Sequence, residues 1–233
     1  MLIGGYQKLT LIDYPGKIAA TVFTIGCNFR CPFCHNPELV AIGNLPLTTN
    51  NNLEKEFFNF LKKRKGKLEG VCITGGEPTI QPDLIDFIKK IKKLGFLVKL
   101  DTNGARPDVL KKIIEKKIVD FIAMDIKNNL KKYAETCGSK VDLKRIKLSV
   151  DLIRNSGINY EFRTTVVPGL HKEKDFEDIA QWLSGSDAYY LQEYRDIKIL
   201  DPRLKKKTKG KKINLEKIKE KIKDNFSKVE IRR

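Results

Sequence analysis

No stretch of the chain reaches the about 18 uncharged apolar residues that a membrane-spanning helix needs, so a transmembrane helix is excluded. Residues 1–16 lack the apolar core of a signal peptide and carry Asp13 and Pro15, which argues against export. No internal repeat is strong enough to suggest a solenoid or an array. Histidine is scarce, at two residues in 233, and acidic residues are too few to balance the basic ones. The five cysteines do not make the even set of a small secreted disulfide scaffold. Three of them fall within eight residues, which in a cytosolic chain points to a metal. A soluble cytoplasmic protein is expected.

What is present is enough for a sizeable core. The chain is 41% hydrophobic, which excludes wholesale disorder, and its length lies within the roughly 250 residues of a single α/β barrel domain. Lys+Arg 46 against Asp+Glu 29 gives a net charge of +17, a field that attracts anions of any kind. Lysine clusters at 62–67, 89–93 and 111–117 fall on or beside expected helices and read as solvated faces. No nucleic-acid-binding motif accompanies them, so nucleic acid is not expected as a partner. The segment 204–212 is nearly all lysine and reads as a mobile surface loop.

Short apolar runs alternate with amphipathic stretches. The runs at 18–25, 71–74, 96–100, 121–126, 160–167 and 189–192 read as strands. Segments 53–63, 82–94, 109–118, 143–155 and 176–183 have helical spacing. Continuous apolar strands separated by helices imply a parallel sheet covered on both faces. Six such units with no evident reversal of strand order suggest a partial (β/α)6 barrel; a flat doubly wound sheet is the alternative. Residues 1–200 form the expected core. Residues 201–233 are an extension with a helix at 214–223 and an edge strand at 229–231. Functional residues should lie at the C-terminal ends of the strands.

The chemistry begins with Cys27-Asn28-Phe29-Arg30-Cys31-Pro32-Phe33-Cys34, a C-x3-C-x2-C loop directly after the first expected strand. Three thiolates this close can each hold one iron of a cubane cluster, leaving one iron without a protein ligand. Such a vacancy is where a substrate or cofactor binds, as at open catalytic zinc sites. The competing reading is a structural Cys3His zinc site through His35. Neighbouring side chains such as Cys34 and His35 seldom converge on one tetrahedral ion, and nothing around His171 marks it as a remote ligand. The second element, Thr74-Gly75-Gly76-Glu77-Pro78, ends the next expected strand. Paired glycines let backbone approach a ligand closely. Asp101-Thr102-Asn103-Gly104 and Asp125-Ile126-Lys127 end the following two strands. There Lys127 suits a carboxylate, and Asp101 suits hydroxyls or a cation. Phe162-Arg163-Thr164-Thr165-Val166-Val167 leads to a fifth strand end.

Together these residues resemble the radical S-adenosylmethionine (SAM) superfamily, whose C-x3-C-x2-C cysteines hold a [4Fe-4S] cluster with SAM on the fourth iron. The resemblance makes Cys27, Cys31 and Cys34 the cluster ligands. It assigns Phe33, Cys34, His35, Gly75, Gly76, Glu77, Asp101, Thr102, Asp125, Lys127 and Arg195 to SAM. Residues 9–16, 34–38 and 190–192 further resemble the glycyl-radical enzyme activating enzymes, in the branch like the activators of anaerobic ribonucleotide reductase. Where pyruvate formate-lyase activators have Tyr-His, this chain has Tyr194-Arg195. The implied activity is an oxidoreductase reaction: an electron from reduced flavodoxin or ferredoxin cleaves SAM to a 5′-deoxyadenosyl radical. That radical takes a hydrogen atom from a glycine Cα of a partner enzyme. Two alternatives remain open at this point, a radical SAM enzyme acting on a nucleotide-derived small molecule and a zinc-stabilised nucleic-acid-binding module.

Overall fold

A computed structural model describes residues 1–40 and 50–233. They form one eight-stranded sheet whose strands lie side by side in chain order. The strands are β1 (Ile3–Thr10), β2 (Ala19–Thr24), β3 (Gly70–Gly75), β4 (Leu97–Thr102), β5 (Phe121–Asp125), β6 (Asn159–Val166), β7 (Ser186–Glu193) and β8 (Phe226–Arg232). The first strand pairs antiparallel with β2; every later pair is parallel. The helices are α1 (Asn50–Lys63), α2 (Leu84–Lys93), α3 (Pro107–Glu115), α4 (Tyr133–Thr136), α5 (Leu143–Arg154), α6 (Glu173–Leu183), α7 (Arg203–Thr208) and α8 (Leu215–Ile222).

Parallel strands need crossovers, and right-handed crossovers laid down in one direction put successive helices on the same side of the sheet. This order is that of a barrel winding and not of a doubly wound sheet, which reverses at a switch point. The sheet does not close, because β1 and β8 stand at its two edges. Its helix-covered face is apolar. Leu84, Phe87, Ile88 and Ile91 of α2 are buried at helical spacing, as are Phe176, Ile179, Ala180 and Leu183 of α6. Phe87 stacks on Phe57 of α1 and meets the edge of Phe58, so one aromatic cluster joins the first two helices.

The opposite face carries the polar residues of otherwise apolar strands. Lys99 and Asp101 of β4 and Glu161 of β6 are buried at alternate positions. Period-two alternation sends such side chains to the face opposite the helices.

The six expected strands are all present. β1 is not expected from the sequence, because its Gly4-Gly5 start and exposed centre lack an apolar alternation. Residues 201–233 contribute α7, α8 and β8, and β8 extends the same sheet in parallel with β7. The lysine-rich segment is corrected in part: 203–208 is helical, because Leu204 and Thr208 are buried while the lysines between them face outward.

Truncating Phe87 to Ala removes the ring at the centre of the α1–α2 cluster. Unfolding by urea should show a loss of about 3–5 kcal/mol, the usual cost of a buried Phe→Ala change.

Candidate functional site

One cavity is lined by residues from the ends of β2 to β6 and the turns and loops that follow them. The cavity brings together Cys27, Cys31, Phe33, Cys34 and His35 with Gly75, Gly76, Glu77, Asp101, Thr102, Asp125 and Lys127. Arg195 is exposed and is not part of the lining. Arg163 and Thr165 of β6, Asn103 after β4 and Phe29 in the cysteine loop also face it. Arg163 and Thr165 were legible only as polar residues at alternate positions of an apolar strand.

Backbone contacts explain the assembly. The Gly76 and Glu77 amides donate to the carbonyls of Thr24 and Gly26 at 2.9 and 2.8 Å, and the Gly26 amide donates to Leu39 at 2.7 Å. These bonds tie the exit of β3 to the exit of β2, where the cysteine loop starts. Both glycines are required there. Gly75 has φ +112°, a region that residues with a Cβ avoid. A Cβ on Gly76 would stand 2.1 Å from the Gly26 carbonyl oxygen. The Cys34 amide closes a turn onto Cys31 O at 3.0 Å, and the Arg30 amide bonds Cys137 O at 3.0 Å. Cys137 is itself buried and packs under the loop, whereas Cys72 lies in the core of β3.

Glu77 turns inward. Its carboxylate accepts from Thr79 N, Thr79 Oγ1, Thr102 Oγ1 and Asn103 N, the last at 2.6 Å. Burial pushes it above the ordinary carboxylate range although these donors act the other way. It therefore welds the turn after β3 to the end of β4. His171 is likewise committed to backbone. The Val167 amide donates to its Nδ1 at 3.0 Å, so Nε2 carries the proton and donates to Lys127 O at 2.8 Å. His171 is not in the cavity lining. His35 reaches outward, with Nδ1 3.2 Å from Lys198 O and its ring stacked near Tyr194.

The electrostatics beneath the cavity are dense. Arg163 donates to Asp125 through Nε and to Asp101 at 3.0 Å. Lys127 pairs with Asp125 at 3.0 Å, and the buried Lys99 pairs with Asp101. Burial alone would raise Asp101, but the Arg163 guanidinium and the Lys99 ammonium outweigh it and hold its carboxyl below the usual range. Burial lifts the thiols of Cys27 and Cys31 to about 11 and about 12, against the pull of the Lys127 ammonium. Three thiols beside a fixed cation are a donor set suited to an anionic thiolate–iron cluster. Among the described residues no three His, Cys, Asp or Glu side chains are grouped as ligands of one metal ion. A cubane does not need such convergence, since each thiolate takes its own iron.

Replacing Gly76 with Ala forces its Cβ into the Gly26 backbone. Urea unfolding should show about 1–3 kcal/mol of destabilisation, the range for overpacking. Asp101→Asn tests the charge network by its pH dependence. A carboxyl held low in the folded state contributes stability that is complete above about pH 4 and is lost as acid titrates it. The variant should lose less stability than the parent between neutral pH and acid, read as the urea midpoint against pH.

The radical SAM superfamily model matches residues 21–183. A Methanocaldococcus jannaschii protein provisionally named as a glycyl-radical enzyme activating enzyme is 35% identical over 210 residues, 88% of this chain and 85% of that one. The pyruvate formate-lyase-activating enzyme of Clostridium pasteurianum is 30% identical over 74% of this chain and 71% of its own length. Among solved structures, SAM-bound SuiB of Streptococcus suis aligns with a TM-score of 0.66 at 17% identity, over 90% of this chain and 48% of SuiB. Coproporphyrinogen III oxidase of Escherichia coli aligns at 0.57 with 14% identity, over 85% of this chain and 49% of the enzyme. The chain thus spans about half the length of these solved structures, and with them it shares the fold. No helix among the described residues is long and apolar enough to cross a membrane. The extent of the superfamily match, around a cavity lined by three cysteines, means that the chain belongs to the radical SAM superfamily, enzymes whose cofactors are a [4Fe-4S] cluster and SAM.

Proposed function

We propose that this chain is a cytoplasmic glycyl-radical enzyme activating enzyme whose protein substrate is an anaerobic ribonucleotide reductase or a related glycyl-radical enzyme. The observation that carries the reading is the meeting of three thiols, a glycine turn and a fixed ammonium group in one cavity at the strand C-termini. The relatives named as activating enzymes, matched over most of their length, support the same reading.

Cys27, Cys31 and Cys34 would hold the cluster as thiolates. When bound, cluster and SAM supply the one-electron cleavage chemistry that ends in removal of hydrogen from a glycine Cα. The chain's own residues bind, orient and exclude water. Gly75 and Gly76 line the cavity where the amino end of SAM would sit, their own close packing against the exit of β2 fixing the turn, and Glu77 keeps that turn in place. Lys127 retains N–H donors beyond its bond to Asp125 and suits the carboxylate of SAM. Asp101 and Thr102 line the cavity from the neighbouring strand end, where their oxygens can accept from the ligand. Phe29 and Phe33, both buried, keep the thiol side of the cavity apolar, which restricts the water that would quench a reactive intermediate. The net charge of +17 suits docking of an acidic carrier such as reduced flavodoxin or ferredoxin.

Anaerobic reconstitution with iron and sulfide, then reduction with SAM present, should yield 5′-deoxyadenosine. With the partner enzyme added, it should also yield a glycyl radical visible by electron paramagnetic resonance. Cys31→Ala should abolish both signals. SAM cleavage that survives this substitution would count against the cluster assignment, and cleavage without a glycyl radical on any such partner would count against the proposed substrate.

A further inference from the structure

The C-terminal strand sends one side chain onto the polar face of the sheet. Arg232 of β8 donates from both terminal nitrogens to Glu161 of β6, at 2.7 and 2.6 Å. Its guanidinium carbon lies 3.6 Å from the centroid of the Tyr190 ring on β7. Glu161 is 1% exposed. Its other neighbour is Arg163, whose Nη1 stands 3.9 Å from Glu161 Oε1. Arg163 spends its remaining nitrogens on Asp125 and Asp101, and Asp125 holds Lys127. Ala123 sits in register between Asp101 and Glu161. Its small side chain lets Arg163 reach from β6 across β5 to β4.

The chain of alternating charge therefore runs Arg232, Glu161, Arg163, Asp125, Lys127. Neither Glu161 nor Arg232 lines the cavity, and the mechanism above uses neither. Arg163 is the shared member, because Glu161 on one side and Asp101 with Asp125 on the other compete for one guanidinium. A buried carboxylate must be paired, and an unpaired one takes the nearest cation. With Arg232 satisfying Glu161 through a two-pronged pair, Arg163 is left to the aspartates.

We propose that Arg232 and Glu161 are positioning residues for the SAM site: by occupying Glu161, Arg232 keeps Arg163 on Asp101 and Asp125, and so keeps Lys127 aimed into the cavity. The C-terminal strand is thereby a working part of the site. This rests on the reading of the cavity as the SAM pocket.

The test compares Arg232→Met, which keeps the apolar stem and loses the charge, with the double variant Glu161→Gln/Arg232→Met, which removes the competing carboxylate as well. Equilibrium binding of SAM to the oxidised, reconstituted protein is measured by calorimetry at matched iron content, beside the urea midpoint of each metal-free chain. Arg232→Met should weaken SAM binding about tenfold, within the range for residues that act on a site from a distance. The double variant should recover to within about threefold of the parent, the non-additivity expected of coupled neighbours. Unchanged binding in Arg232→Met overturns the proposal. So does a double variant that stays weak while its urea midpoint matches the parent, since the loss then does not run through competition from Glu161. Lys127→Met is the reference for the pocket itself: if it leaves SAM binding unchanged, the pocket reading fails and the inference fails with it. A loss in Lys127→Met with none in Arg232→Met overturns the positioning role alone.

Discussion

The close approach of two strand ends governs this molecule. Where β2 and β3 leave the sheet, the amides of Gly76 and Glu77 take the carbonyls of Thr24 and Gly26, at a separation that leaves no room for a Cβ on Gly76. That pairing puts the start of the cysteine loop against the turn after β3. It also turns the Glu77 carboxylate inward, where it collects donors from the end of β4. Three successive strand ends are thus locked to one another before any ligand is considered. Parallel strands make this natural, because their C-termini all emerge on the same edge and the loops that follow must share the space.

Beneath that edge the non-helical face of the sheet is filled with charge where a closed barrel would pack branched apolar side chains. Lys99, Asp101, Arg163, Asp125 and Glu161 lie inside and are paired in alternation. Ionised groups survive burial only when each has a partner and its hydrogen bonds are met. The arrangement fixes the direction of side chains more than it stabilises the fold, since a buried ion pair is a weak source of net stability. What it provides at the cavity is an ammonium group on Lys127 whose position is set by Asp125 and by the His171 bond to its own carbonyl.

Much of this was legible from sequence. The six apolar runs are strands because continuous β-branched and apolar segments between helical repeats have few other places to go. The C-x3-C-x2-C loop and the Gly75-Gly76 turn could be set at neighbouring strand ends for the same reason. Other features depend on tertiary context. β1 is an edge strand with a solvated centre, so no periodicity marks it. The helix at 203–208 rests on two buried residues among lysines. Lys99 reads as one more lysine in a basic chain, and only the fold shows that it is buried beside Asp101 of the same strand. Arg163 and Arg232 needed the pairing of β6 with β5 and of β8 with β7 to bring them to the same cluster. Arg195, implied by the resemblance, lies two residues beyond the end of β7 and is exposed, outside the cavity lining.

The central claim is that the three thiols supply an incomplete ligand set, with the remaining iron left for the amino acid end of SAM. The most direct measurement is electron–nuclear double resonance on the reduced cluster, using SAM labelled with nitrogen-15 in its amino group. A strong hyperfine coupling to that nitrogen is predicted in the reconstituted protein. Absence of coupling with SAM bound at saturation, or coupling instead to a fourth side chain of the protein, would contradict the account.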